Sequence, residues 1–260
     1  TLILLPDGDA INTLGIAYAA LRHEGQTLTL YRQEVNQPEV NPHDNCMVPI
    51  TFEGASLAGG IDAISYYAGF LTQTKLRNAN HFVTMSQAAG VKQDQPMYLG
   101  TLTYAEGKPD TARTSLYVVP NILVSSYTDG TWTHELDDEN TLSLSSQFMI
   151  QTSIGEALLT GDDFHSWVFG IMGTLDRGGL SLSAGYTVTS AEAGWQSPFG
   201  NWPGYSNLLI GLFDRAGEQT LMLNAGYDFS HAGLPGFEVN VFTAFDTAVA
   251  DGQPMWQEYD

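Results

Sequence analysis

The sequence predicts an all-β fold, an antiparallel up-and-down transmembrane β-barrel with about twelve strands in this chain. Three observations predict it. Apolar and polar residues alternate strictly in runs of roughly 9–12 residues, the length of a tilted bilayer-crossing strand rather than the ~5–6 of soluble strands. Tight connections alternate with long ones along the chain. Charged residues make up only 15% of the 260, against about 25% in typical soluble domains, while 27 are glycine.

The alternation can be followed from one run to the next. In 141–151, Leu142, Leu144, Phe148 and Ile150 share one face, while Ser143, Ser145, Gln147 and Gln151 share the other. Trp167, Phe169 and Ile171 oppose Ser166, Val168 and Gly170. Leu180, Leu182, Ala184, Tyr186 and Val188 oppose Ser181, Ser183, Gly185, Thr187 and Thr189. Leu221, Leu223, Ala225, Tyr227 and Phe229 oppose Met222, Asn224, Gly226 and Asp228, and Phe237, Val239 and Val241 oppose Glu238, Asn240 and Phe242. No heptad or helical stripe interrupts the pattern.

Tight links are expected at His23-Glu24-Gly25, Gly59-Gly60-Ile61, 107–112, 137–140, 176–179 and 230–236. Long links are expected at 34–50, 72–96, 127–131, 153–162 and 190–217, with Pro38, Pro42, Pro49 and Pro203 inside them. Short periplasmic turns and longer extracellular loops are the expected asymmetry of an outer-membrane barrel. Tyr18, Tyr66, Tyr67, Phe70, Tyr104, Tyr117, Trp132, Trp167, Tyr186, Tyr227, Phe229 and Phe245 fall near strand ends, where they would form interfacial girdles. The competing assignment for these aromatics is the core of a soluble β-sandwich.

Charge limits the partners. Asp and Glu outnumber Lys and Arg by 29 to 9, a formal net charge of -20. Nucleic acid is excluded, because its binding needs a basic surface to displace counterions. No apolar run approaches the ~20 residues of a spanning helix, and near-neutral mean hydropathy suits a barrel whose strands alternate. The single cysteine, Cys46, excludes an internal disulfide framework. The opening Thr1-Leu2-Ile3-Leu4-Leu5 lacks a basic start and runs into Pro6-Asp7-Gly8, unlike a secretory leader. The expectation is therefore a leader already removed or a start within a longer protein.

Motifs for covalent chemistry are weak. Asp137-Asp138-Glu139 and Asp162-Asp163 offer oxygen ligands, but such clusters are more often solvated turns, and Asp7-Gly8-Asp9 lacks the remaining positions of a calcium loop. His23, His43, His81, His134, His165 and His231 lie in turns and loops without metal-ligand spacing. A Gly-x-Ser-x-Gly elbow is absent, and His165 and Ser166, as strand neighbours, point to opposite faces. The expectation is a protein with no enzymatic activity, cofactor or metal.

From Gly25 through Val35 (GQTLTLYRQEV) and on through Asn41 to Gly54 (NPHDNCMVPITFEG) the chain resembles the OprD-type outer-membrane porins. That family shows a strand ending in Arg-Gln or Asp-Gln, an Asn/Asp-rich turn, then Asp-x-Arg-Met/Leu-x-Pro leading into Phe-Glu-Gly/Ala. Lys75-Leu76-Arg77-Asn78, Gly161-Asp162, Asp176 through Leu182, Gly204-Tyr205, Asp214 through Glu218, Gly226-Tyr227-Asp228-Phe229 and Leu234-Pro235-Gly236 continue the series in order. Cys46 stands where the family has the arginine of Asp-x-Arg, one of the wall arginines that guide carboxylate-bearing solutes. The resemblance therefore does not carry over a preference for anionic solutes. It implies an eighteen-stranded barrel, of which residues 1–260 would be a single, internal part lacking strands at both ends.

What the resemblance further implies is a Gram-negative outer-membrane channel for passive diffusion of small hydrophilic solutes, embedded in bilayer and lipopolysaccharide, as a monomer or a homotrimer. Pore-lining or constricting candidates within the matching motifs are Arg32, Asp44, Glu53, Lys75, Arg77 and Arg215. Asp228, Glu238 and Asp246 are assigned to the lumen because burying them against lipid would be costly. The alternative for Arg32 and Arg77 is an interfacial position with the guanidinium reaching toward headgroups. Loops 34–50 and 72–96 are expected to fold inward. Two rival readings are a structural barrel that sheathes or anchors a partner protein and, third, a soluble carbohydrate-binding β-sandwich.

Overall fold

A computed structural model describes residues 8–43, 48–208 and 211–247. The chain runs as an antiparallel meander: β1 (Ala17–His23), β2 (Gln26–Gln33), β3 (Thr51–Ile61), β4 (Ile64–Lys75), β6 (Met97–Tyr104), β7 (Thr111–Val119), β8 (Leu123–Asp137), β9 (Asn140–Ser153), β10 (His165–Arg177), β11 (Leu180–Thr189), β12 (Gln219–Asp228) and β13 (Glu238–Thr247). Each strand pairs with the one before it in this order. A two-residue strand, β5 (Val83–Thr84), pairs with the end of β4 and leads into a single helical turn, α1 (Met85–Ala88). Thr84 caps that turn: its side chain accepts from the Gln87 amide while the Gln87 side chain returns to the Thr84 backbone. Among the described residues no helix is long and apolar enough to cross a membrane.

Why these segments are strands follows from their two faces. Leu102, Tyr104, Leu116, Trp132, Leu144, Phe148, Phe169, Ile171, Leu182, Tyr186, Leu221 and Leu223 are exposed on one face. Their strand neighbours, such as Ser115, Gln147, Gln151, Ser166, Thr187 and Thr220, are buried on the other. This is inverted relative to a soluble protein. An apolar exterior and a polar interior suit a sheet standing in lipid and facing water inside. Trp132, Tyr104, Tyr18, Tyr186 and Phe245 belong to the exposed set, as the girdle assignment expects. Tyr117 does not: it is buried on the inner wall against Phe199.

The connections alternate between two ends. One end carries Glu24-Gly25, Asp62-Ala63, 105–110, Asp138-Glu139, Gly178-Gly179 and 229–237, and the other carries 34–50, 76–96, 120–122, 154–164 and 190–218. Two expected links are displaced. Asp129-Gly130 is not a loop, because β8 runs unbroken through it and Asp129 is bonded to Arg113 across the sheet. The reversal before β8 is instead the three residues Pro120-Asn121-Ile122, with Asn121 in the left-handed region at φ 58°. Gly59-Gly60-Ile61 likewise lies within β3, and the turn follows at Asp62, with φ 54°.

Candidate functional site

The inner wall is read most directly across the register. Ser65, Thr103, Arg113, Asp129, Gln147, Gly170, Thr187, Thr220 and Asp246 are successive partners from β4 to β13. Residues paired in this way share a face, so the row is a polar belt on the lumen side. Within it Arg113 and Asp129 are directly opposed, Nε donating to Oδ1 at 2.8 Å, with the second guanidinium arm 3.5 Å from the Tyr127 hydroxyl. Arg113 is 38% exposed and Asp129 19%, so the guanidinium keeps an edge open to the lumen. It borders a polar cavity of about 300 Å³ with Ser65, Tyr67, Thr101, Thr103 and Glu106 on the wall and Asn36, Gln37 and Pro38 on the opposite side. Glu106 is held there by the Ser65 hydroxyl at 2.6 Å.

Three long loops fold back onto this wall. Val35, Val40 and Ile50 from 34–50, Met85 and Val91 from 76–96 and Phe199 from 190–218 are buried in one apolar cluster. Its wall side is Phe52, Leu71, Met97, Leu99, Tyr117, Val119 and Leu123. A second cluster seats Trp195 and Trp202 of loop 190–218 against Tyr127, Met149 and Val168. Loops 34–50 and 190–218 also grip each other: Asn41 Nδ2 donates to the Asn201 carbonyl at 2.7 Å, and the Asn201 amide donates to Asn41 Oδ1 at 2.8 Å. Burying apolar area of this extent is the ordinary driving force for holding long loops in one place. The loops leave between them a cavity of about 350 Å³ lined by His43, Arg77, Gln196, Asn201 and Trp202.

The expected site residues fall into four groups. Arg77 lines the cavity between the loops. Asp44 lies outside the described residues.

Arg32 and Glu53 are brought together, Nε to Oε2 at 3.1 Å, but on the wrong face for a pore. Their strand neighbours Gln33 and Phe52 point inward, Gln33 bonding Ser56 and Phe52 sitting in the apolar cluster, so Arg32 and Glu53 point outward. Plain alternation places them there, since exposed Leu30 shares the phase of Arg32 and exposed Leu57 that of Glu53. The bulge opposite Glu53 and Gly54 lies in β4, where the extra residue Thr72 reverses the phase beyond it, at Lys75. Arg32 there covers the Phe82 ring at 4.2 Å and donates to the Leu14 carbonyl at 3.0 Å. Lys75 is also off the lumen: Gly15 approaches its side chain, and its Nζ donates to the carbonyls of Pro49 and Leu76.

Arg215 reaches the inner wall, held by Glu218 at 2.6 Å and by Asp246 of β13. That carboxylate pair keeps its guanidinium even more firmly charged than usual. Beside it Asp214 is buried, and burial together with the Glu218 charge pushes its carboxyl up to about 6. Asp228 and Glu238 face each other across β12 and β13 at the short-turn end, in phase with inward Met222 and Asn224. Both are exposed, Asp228 accepting from the Ser230 amide at 2.8 Å and Glu238 from Asn240 at 2.8 Å. Among the described residues no group of His, Cys, Asp and Glu is arranged to hold a metal. Asp137 spends its carboxylate on the turn it starts, accepting from the amides of Glu139 and Asn140.

Sequence reasoning passed over Arg113, Asp129 and Glu39. For Arg113 a signal existed, because Leu116 is apolar and outward, which puts Arg113 and Ser115 on the inner phase. Glu39 had none. It sits in a loop, and only the fold reveals that it is buried, accepting from Ser125 Oγ at 2.7 Å.

Comparison with known proteins agrees with this architecture. Residues 7–252 match the family described as outer membrane porin, OprD family. Among solved structures, OccK8 (OprE) of Pseudomonas aeruginosa superposes with a TM-score of 0.79 at 18% identity, covering 93% of this chain and 69% of that one. A BenF-like porin from Pseudomonas fluorescens Pf-5 gives 0.83 at 17%, covering 98% and 67%. Pseudomonas aeruginosa OpdK, solved with vanillate, gives 0.79 at 18%, covering 96% and 68%. No curated protein sequence matches significantly. The inverted faces, the meander and the family match converge: this chain belongs to the OprD family of outer membrane porins, β-barrel channels for small solutes in the Gram-negative outer membrane.

Proposed function

We propose that the chain forms the larger part of a closed barrel whose water-filled lumen passes small hydrophilic solutes by passive diffusion, narrowed by the loops 34–50, 76–96 and 190–218. One observation carries this reading. The loops pack on the inner wall and two of them are bonded to each other through Asn41 and Asn201, which leaves small cavities beside the wall, the one at Arg113 polar. Arg77 beside one cavity and the Arg113–Asp129 pair beside the other are the charged groups placed to sort solutes by charge and hydrogen bonding. Asp228 and Glu238 make the short-turn mouth acidic. A barrel built to sheathe a partner would keep its lumen clear, so the inward loops weigh against that alternative. The proposal that further strands close the barrel is supported by the two strands left at the sheet edges, β1 and β13, and by the greater length of the matched structures. Reconstitution of the intact porin in planar bilayers tests the reading: discrete conductance steps are expected, and their absence would sink it.

A further inference from the structure

Glu39 is the most conspicuous ionisable group that solute passage leaves unused. It is carried on the 34–50 loop between Val35 and Val40, both buried, and its own side chain is buried with them. Ser125 Oγ of β8 donates to its carboxyl at 2.7 Å. From there a chain of polar contacts continues along the wall. Tyr117 of β7 stands directly opposite Ser125 in the register, and Gln151 of β9 reaches the Tyr117 hydroxyl at 3.4 Å. Gln151 also holds loop 190–218 at both faces of its amide, donating to the Gln196 carbonyl at 3.0 Å and accepting from the Gln196 amide at 3.1 Å. Glu39 is thus the terminal link by which loop 34–50 joins a network that also fixes loop 190–218.

We propose that Glu39 is a proton-dependent latch, holding the 34–50 loop against the inner wall while its carboxyl is protonated and loosening the constriction as it ionises. The inference rests on the reading of that loop as a constriction, and it adds a regulation that the reading does not contain.

The surroundings favour the neutral acid. Tyr117 faces Glu39 from β7 as an uncharged phenol, Ser125 brings a hydroxyl from β8, and Gln151 and Phe199 bring no charge from β9 and loop 190–218. Tyr67 of β4 packs on the same cluster, also as a phenol. Arg113, farther along β7, is engaged by Asp129, and Glu106 by Ser65. A buried carboxylate with one hydroxyl donor is costly, whereas the protonated acid loses little. Burial accordingly pushes the Glu39 carboxyl from 4.5 up to about 8.

The direction of the switch follows from linkage. A released Glu39 ionises above its ordinary value of 4.5, while a docked one keeps its proton until about 8. Docking is therefore strongest below pH 4.5, weakens by about tenfold per pH unit between the two values, and levels off above the upper one.

Hydrogen exchange of the intact porin in detergent, read by mass spectrometry over 34–50 and corrected for intrinsic exchange, tests this from pH 5 to 9. Strand β9 serves as the internal reference. Opening of 34–50 relative to β9 should rise about tenfold per pH unit and flatten near pH 8, and Glu39→Gln should abolish the slope. Single-channel conductance over the same range should rise in the wild type and stay constant in the variant. A flat wild-type exchange profile, or a slope that survives Glu39→Gln, overturns the latch. If the variant fails to assemble, the wild-type profile alone decides. Absence of all conductance would instead strike at the channel reading, and the exchange profile would still judge the latch.

Discussion

Asn41 and Asn201, 160 residues apart in sequence, satisfy each other as two strand residues would, one side-chain amide bonding both the carbonyl and the amide of its partner. The contact is close enough that a Cβ on Gly200 would come within 2.7 Å of Asn41. Side-chain-to-backbone bonds of this kind contribute about 0.5–1.5 kcal/mol each. Asn41→Ala should therefore release about 2 kcal/mol of loop-to-loop attachment. Single-channel recording should show a higher or noisier conductance, and an unchanged trace would mean that these loops do not set the bore.

The Arg113–Asp129 pair makes a prediction about charge selection. Asp129 masks part of a guanidinium that still has an open edge on the polar cavity. Asp129→Asn keeps the shape and removes the masking charge, so anion permeability should increase. Arg113→Gln should shift selectivity toward cations. Reversal potentials across a salt gradient measure both, and shifts of the same sign in the two variants would exclude the pair from the selective region.

How much of this was legible in the sequence depends on what the alternation encodes. Period two identifies a strand and its phase, so Leu182 outward and Ser183 inward needed no structure. Loop 34–50 was bounded as it folds because glycine and proline punctuation surrounds it. The same cues misled at Asp129-Gly130, since a wet inner wall uses the residues that elsewhere signal a turn. Arg32 and Glu53 were assigned to the lumen from their place in the family-like motifs, although Leu30 and Leu57 on the same two strands put them in the outward phase. For Lys75 the bulge in β4 leaves no trace in the local pattern, yet reverses the residues beyond it. Contacts between loops, such as Glu39 with Ser125, are long-range and have no local signature.

The bulge itself can be tested at Gly54. A Cβ there would stand 2.2 Å from the Phe70 carbonyl oxygen and 2.8 Å from the Leu71 Cα, both of them backbone atoms that cannot step aside. Gly54→Ala should cost about 1–3 kcal/mol through forced strand separation and disturb the Arg32–Glu53 pair next to it. A lower temperature of heat-induced mobility change on detergent gels is the expected readout, while Gly100→Ala, where nothing lies within 4 Å of the added carbon, should leave it unmoved.

Asp214 offers a pH-dependent stability that one substitution should remove. Its carboxyl is buried in loop 190–218, its Oδ2 makes no hydrogen bond among the described residues, and Glu218 adds a like charge. With the folded value raised from 3.8 to about 6, its contribution is fully present below pH 3.8 and is lost as pH rises to about 6. Above that point the ionised group opposes the folded loop by up to about 3 kcal/mol, with Arg215 offsetting part of the penalty. Asp214→Asn should therefore raise the thermal transition at pH 7 and leave it nearly unchanged at pH 3.5. Tryptophan emission, reporting Trp195 and Trp202 of the same loop, should follow the transition. A stabilisation equal at both pH values would show that Asp214 acts through packing and not through its charge.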